Sequence, residues 1–148
     1  MSSRISLGVI AVLLAAAPAI AQQPTAAGRV KVATGQAFIV RAQEQIAAQP
    51  GQLVYESDSL RTGADGTIGI TLKDDTRVSL GPASEVHVAK FSYGSADGSL
   101  ALVLKVVRGV TAYVSGRIAK LAPDSIRLET PSAIVGVRGT SLVIRADE

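Results

Sequence analysis

His87 is the only histidine of the chain, and there is no cysteine. Those two counts limit the chemistry at once. A zinc site needs several His, Cys or carboxylate ligands at recognisable spacing, and one histidine does not supply them. Thiol redox chemistry is excluded. A serine nucleophile would need His87 and an acid brought together, yet no Gly-x-Ser-x-Gly turn occurs. Gly94-Ser-Ala-Asp-Gly98 has its serine in the wrong place and sits in a loop between strand-like segments. His87 lies between Val86 and Val88, so on a strand it points away from both and reads as solvent-facing. Glu56, Asp58, Asp74 and Asp75 could offer oxygens to calcium, but they lack the spaced acidic loop of a dedicated site and read as solvated turns. Paired carboxylates alone do not define glycosidase geometry. With three Tyr, two Phe and no Trp, little remains to build a sugar-stacking cleft. No metal or cofactor is implied, and the chain reads as non-catalytic.

The segment with most local character is Glu129-Thr-Pro-Ser-Ala-Ile-Val-Gly-Val-Arg-Gly-Thr140, followed by the strand-like Ser141-Leu-Val-Ile-Arg145. Pro131 fixes an entry turn, and Gly136 and Gly139 supply backbone freedom or close approach. Arg138 lies inside an otherwise apolar run. An arginine so placed donates several hydrogen bonds to backbone carbonyls or to an acid such as Glu129, locking a corner; buried charges are normally paired. The functional alternative is a docking point, since a guanidinium binds a carboxylate of an acidic ligand bidentately. Gly136-Val-Arg-Gly139 also has the look of a phosphate-binding or RNA-clamping loop, but no helix pattern follows it.

The elements that must hold these residues read as strands. From Gly28 onward apolar residues alternate over short stretches punctuated by glycine. Arg29–Ala33 and Gln36–Val40 flank Thr34-Gly35, which predicts a tight hairpin, and Thr67–Leu72 and Thr76–Leu80 flank a second turn at Lys73-Asp74-Asp75. Ser84–Phe91 alternates strictly, and Leu100–Val107 follows a loop rich in Gly, Ser and Asp. Ala42–Gln49 has helix-forming composition but runs into Pro50-Gly51; a single helical turn or a hairpin tip both fit. The expectation is an all-β domain of compact, stacked short strands.

Arg4 precedes an apolar run from Ile5 to Ala17, then Pro18 and Ala19-Ile20-Ala21, the pattern of a secretory signal peptide. The run is shorter than the roughly 20 residues of a membrane-spanning helix. Cleavage is expected between Ala21 and Gln22, giving residues 1–21 as signal, 22–27 as a short N-terminal segment and 28–148 as one domain, with no membrane span after signal removal. The formal net charge is +3, and its cations are scattered singly with few aromatics beside them. That does not make the clustered stripe nucleic acid requires. An exported chain without disulfides must draw its stability from burial and backbone hydrogen bonding.

The Thr130-Pro131…Gly136-Val-Arg138-Gly139-Thr140 stretch ahead of a final strand resembles the FecR domain family, whose hallmark is TP-x-A-x-x-G-x-RGT. Gly51–Gly63 with Asp58, Leu60 and Thr62-Gly63, Asp75-Thr76 with Leu80-Gly81-Pro82-Ala83-Ser84, and Leu104–Val110 with Arg108-Gly109 are similar to further motifs of that family. The resemblance spans Gly28 to Arg145. It implies a two-layered, β-solenoid-like roll. The family's sensors carry a cytoplasmic anti-sigma segment and a membrane helix, and only the signal precedes Gly28 here, so a sigma-factor relay by this chain alone is not expected. Asp74-Asp75 stands where a Asp-Gly turn is usual, which asks a non-glycine residue for a left-handed conformation, tolerable for Asp.

What the resemblance implies is a non-catalytic interaction or ligand-binding module, periplasmic or secreted from a bacterium. It would dock onto an envelope protein or an extracellular ligand, within envelope signalling. The alternative is an envelope polysaccharide or peptidoglycan binding protein meeting acidic groups through Arg138 or surface Lys and Arg; a hydrolase using His87 or carboxylates is the third reading.

Overall fold

The structure, a computed structural model, describes residues 16–19, 24–137, 139 and 141–147. Most of the signal segment, the Ala21–Gln22 site, Arg138 and Thr140 therefore lie outside the described residues. No helix among the described residues is long and apolar enough to cross a membrane.

From Ala26 onward the described residues form twelve strands, one short α-helix and a 3-10 turn at Pro123–Ser125. They are β1 (Ala26–Thr34), β2 (Ala37–Arg41), β3 (Glu44–Ala47), β4 (Leu53–Tyr55), β5 (Ser59–Thr62), β6 (Thr67–Leu72), β7 (Arg77–Leu80), β8 (Glu85–Ser92) and β9 (Ala101–Val114). After these come α1 (Arg117–Leu121), β10 (Ile126–Glu129), β11 (Ile134–Gly136) and β12 (Ser141–Ala146). The expected all-β class holds. Local sequence explains the strands: in β6, Ile68, Ile70 and Leu72 are buried while Thr67, Gly69 and Thr71 are half-exposed, the two-residue period of a sheet with one wet face.

The strands form one curled sheet, a half-barrel, and β9 runs through its middle. The first half of β9 pairs β8 antiparallel and β10 in parallel, and its second half pairs β7 and β12 antiparallel. Gly109, at φ +82°, lies between the two halves. On one side the order is β3-β2-β5-β8-β9-β10-β11, and on the other β4-β1-β6-β7-β9-β12. Every pairing is antiparallel except β9 with β10, and the ladders do not by themselves define solenoid coils.

Inside the curl lie Ile39, Leu60, Ile68, Ile70, Val78, Val86, Leu102, Leu104 and Leu128, each at most 2 % exposed. Burying a side chain of this size contributes about 1.5–3 kcal/mol, which is the main stabilisation available to a chain without disulfides.

One local expectation changes and one open alternative is decided. Thr34-Gly35 is not a hairpin: β1 pairs β4 and β6, whereas β2 pairs β3 and β5. Gly35, at φ +59°, turns the chain from one half of the sheet into the other, and a Cβ there would overlap the Asp65 carbonyl. Ala42–Gln49 is a hairpin tip and not a helical turn. Ala42 and Gln43 take φ +49° and +67°, the two left-handed positions of a type I′ turn, and Glu44 pairs back onto Arg41. The β6–β7 hairpin forms as expected, with Asp75 left-handed at φ +69°.

Candidate functional site

Most of the motif residues fasten the sheet to itself. Asp58, with its side chain 2 % exposed, accepts from Arg41 Nε at 2.9 Å, Arg41 Nη2 at 2.8 Å and the Tyr55 N–H at 2.8 Å. Arg41 also lies 4.5 Å over the Tyr55 ring, and the hydrogen bonds to Asp58 raise its pKa above the ordinary arginine value. This ties β2 to the β4–β5 turn. At a second corner Ser84 Oγ donates to the carbonyls of Pro82 and Val110 and accepts from the Val110 N–H at 2.9 Å. The Ser84 N–H in turn donates to Thr62 Oγ1, whose hydroxyl donates to the Gly81 carbonyl at 2.7 Å.

Asp74 makes a third fastening, and like Asp58 it departs from the solvated-turn expectation. It is fully buried, not a solvated turn residue. Its carboxylate accepts from Thr76 N, Thr76 Oγ1 and the Ile118 N–H of α1, and its own carbonyl accepts from the Arg117 N–H at 2.7 Å. Asp75 beside it is exposed and pairs with Arg117 at 3.3 Å, a contact of little energetic weight.

His87 points outward as expected, but it is half-buried and hydrogen-bonded: Ser59 Oγ and His87 Nδ1 are 2.9 Å apart across the β5–β8 pair. Its other cross-strand neighbour is Lys105. Along the same face Glu85 sits between Arg61 at 3.2 Å and Arg108 at 3.7 Å. Among the described residues no group of three or more His, Cys, Asp or Glu could hold a metal ion.

The Thr130–Gly136 part of the signature forms the β10–β11 hairpin. The Thr130 N–H donates to the Ala133 carbonyl at 2.8 Å, and Thr130 Oγ1 accepts from the Ala133 N–H at 3.0 Å. Thr130 thus closes the turn that Pro131 enters. β11 is an edge strand, pairing only β10. Gly136 departs from expectation: its φ is not left-handed, and a Cβ built on it meets nothing within 4 Å. Neither conformation nor close packing within the described residues requires glycine there. Gly139, at φ +137°, does need its backbone freedom, and its carbonyl accepts from Ser115 Oγ at 2.8 Å.

Two open clefts flank this hairpin. One, of about 220 Å³, lies at the turn between Lys105, Val107, Glu129, Thr130 and Pro131. The other, of about 400 Å³, runs along β11 past Arg127, Ile134, Gly136 and Val137. Ile134 is 67 % exposed and Val107 38 %. The hairpin therefore presents apolar side chains and an open glycine to solvent, between clefts that carry both signs of charge. Sequence reasoning singled out Thr130, Pro131 and Gly136 but missed Ile134, Lys105 and Val107, which come from positions that read as ordinary strand.

No curated protein and no solved structure matches this chain. A family model described as FecR protein matches residues 58–148, a span that begins at the Asp58 fastening and includes the Ser84, Gly109 and β10–β11 features. With more than half of its length covered by that match, the chain belongs to the FecR protein family.

Proposed function

We propose that the domain is a non-catalytic interaction module of the bacterial envelope, working in the periplasm or outside the cell within a signalling assembly, and that it docks an envelope protein through the β10–β11 hairpin. The observation that carries this reading is Gly136. Gly63, Gly109 and Gly139 of the motifs answer to a close approach or a left-handed backbone inside the chain, and Gly81 is in ordinary contact with Val110; a Cβ on Gly136 meets nothing among the described residues, in a cleft beside the exposed Ile134. A glycine that meets no neighbour among the described residues leaves room for a partner's atoms. The exposed Ile134 on this edge strand, with Val107 of β9 near the turn, gives that partner something to bury.

The same geometry argues against catalysis. Ser59 and His87 share a hydrogen bond on a sheet face, but the neighbour across from His87 is a lysine, and no carboxylate among the described residues is hydrogen-bonded to the imidazole to orient it as a general base would be.

The test is reversible crosslinking of the protein in a bacterial envelope extract, with mass spectrometry of what is retained. Wild type is compared with Gly136→Val and Ile134→Asp, both on an exposed edge strand. The expected result is one envelope protein retained by wild type and lost from both variants, whose melting temperatures stay within a few degrees. Retention by the variants as well would move the docking site elsewhere. Recovery of cell-wall or polysaccharide fragments without protein would favour polymer binding.

A further inference from the structure

The half of the sheet that does not carry the hairpin has a different electrostatic character. β1, β6, β7 and β12 contain no acidic and no aromatic residue. Their outward positions carry the exposed cations Arg29, Lys31, Arg77 and Arg145, and Lys73 follows at the end of β6. Arg29, Thr71 and Arg77 stand in one row across three strands, which sets the two arginines about 10 Å apart. Alternation past the buried Val30 turns Lys31 outward beside Arg29, and a bulge between Val30 and Val32 leaves Val32 exposed as well. Arg29, Lys31 and Lys73 border an open cleft of about 240 Å³. The one carboxylate on its rim, Asp75, is already beside Arg117. Beyond the cations the surface is floored by Gly69, Ser79 and Ala112, residues small enough for a polymer backbone to lie close, between the exposed Val32 and Val143.

We propose that this face binds a linear acidic polysaccharide, several of whose carboxylates are met together by Arg29, Lys31, Lys73 and Arg77. The charge is of one sign and spread over more than one strand, so a polyanion gains several contacts where a single small anion gains one. A protein partner is less well matched, because the centres of protein interfaces are enriched in aromatics and these four strands have none. Guanidinium and ammonium groups meet carboxylates without the stacking platforms that neutral sugars require. This inference stands apart from the hairpin reading and uses none of its residues.

Binding of the purified protein to polygalacturonate, with neutral dextran as control, is measured by titration calorimetry at about 0.15 M salt and at higher salt. Wild type binds polygalacturonate and not dextran, and more weakly as salt rises. Arg29→Glu/Lys31→Glu/Lys73→Glu binds at least about tenfold more weakly, a loss of about 1.4 kcal/mol. Lys90→Glu/Lys120→Glu/Arg127→Glu, with the same change of net charge at exposed positions elsewhere, binds as wild type does, and so does Gly136→Val. If the first triple variant fails to fold, Lys31→Gln/Lys73→Gln replaces it and shows a smaller loss in the same direction. No binding by wild type, or equal loss in both triple variants, overturns the proposal. So does binding to vesicles containing anionic phospholipid without binding to the polymer, which would identify a membrane surface instead.

Discussion

Gly109 and Ser84 occupy space that only a glycine and a small hydroxyl can share: a Cβ on Gly109 would overlap Ser84 Oγ, while that same oxygen bridges the N–H and carbonyl of Val110. The bend of β9 and the corner before β8 are thus one device. The glycine allows the approach and the serine exploits it.

Replacing Gly109 by alanine strains a backbone at φ +82° and forces Ser84 aside. The expected loss is about 2–4 kcal/mol, from a strained backbone and a broken hydrogen-bonded corner, read as a lower urea midpoint. Ser84→Ala alone should cost less, about 1–3 kcal/mol, because it leaves the Val110 N–H unpaired without straining the chain. Equal effects would mean that the close approach is not what fixes the bend.

The Arg41–Asp58 pair should respond unequally to truncation. Arg41→Ala leaves a carboxylate that is 2 % exposed without its guanidinium, whereas Asp58→Ala leaves an arginine that is 38 % exposed and can rehydrate. Arg41→Ala is therefore expected to cost about 2–3 kcal/mol and Asp58→Ala somewhat less after allowing for solvent. The double variant should cost less than the sum, as for any contacting pair. An additive cycle would show that the two side chains do not support each other in solution.

Asp97 gives a pH signature to the Ser92–Leu100 loop. Hydrogen bonds from the Ser95 hydroxyl first, then from the Ser99 N–H and hydroxyl, lower its pKa from 3.8 to about 2. With the folded value below the unfolded one, the loop's closure is fully supported above the unfolded pKa and is lost as pH falls through about 2. A carboxyl-carbon NMR titration should place the Asp97 midpoint near 2, and Ser95→Ala should move it upward. A midpoint at the ordinary aspartate value would show that the serines do not hold this carboxylate.

Asp74→Ala removes the acceptor for Thr76 Oγ1 and for the Ile118 N–H. The expected cost is about 2–3 kcal/mol, with faster amide exchange at Ile118 than elsewhere in the domain. If exchange there is unchanged, α1 is anchored by Ile118 packing alone.

Much of this architecture was legible because period-two alternation shows wherever one face of a strand is wet, as in β6, β7 and β8. What was not legible depended on partners distant in sequence. Thr34-Gly35 looks like a hairpin because the turn chemistry is right, but Gly35 answers to Asp65, on a corner thirty residues on. Asp74 reads as surface until the start of α1 arrives over it. Ala42-Gln43 lacks the Asn-Gly chemistry of its turn, so composition left a helical turn and a hairpin tip both open, and the β2–β3 register imposed the bend. In the candidate site, Thr130 and Pro131 announce a turn by type, whereas the openness of Gly136 is visible only as empty space.

β9 also decides how the domain comes apart. Leu104 is laddered to Val88 and Leu128, and Ala112 to Ser79 and Val143, so a single segment supplies hydrogen-bond partners to four others. The ladders of the two halves lie on consecutive stretches of one strand and their buried side chains form one core, so opening either half exposes the core of the other and partial openings have little to gain. Unfolding should proceed as one all-or-none event, with amide protons at Leu104 and Ala112 released at the same free energy although they belong to opposite halves of the sheet.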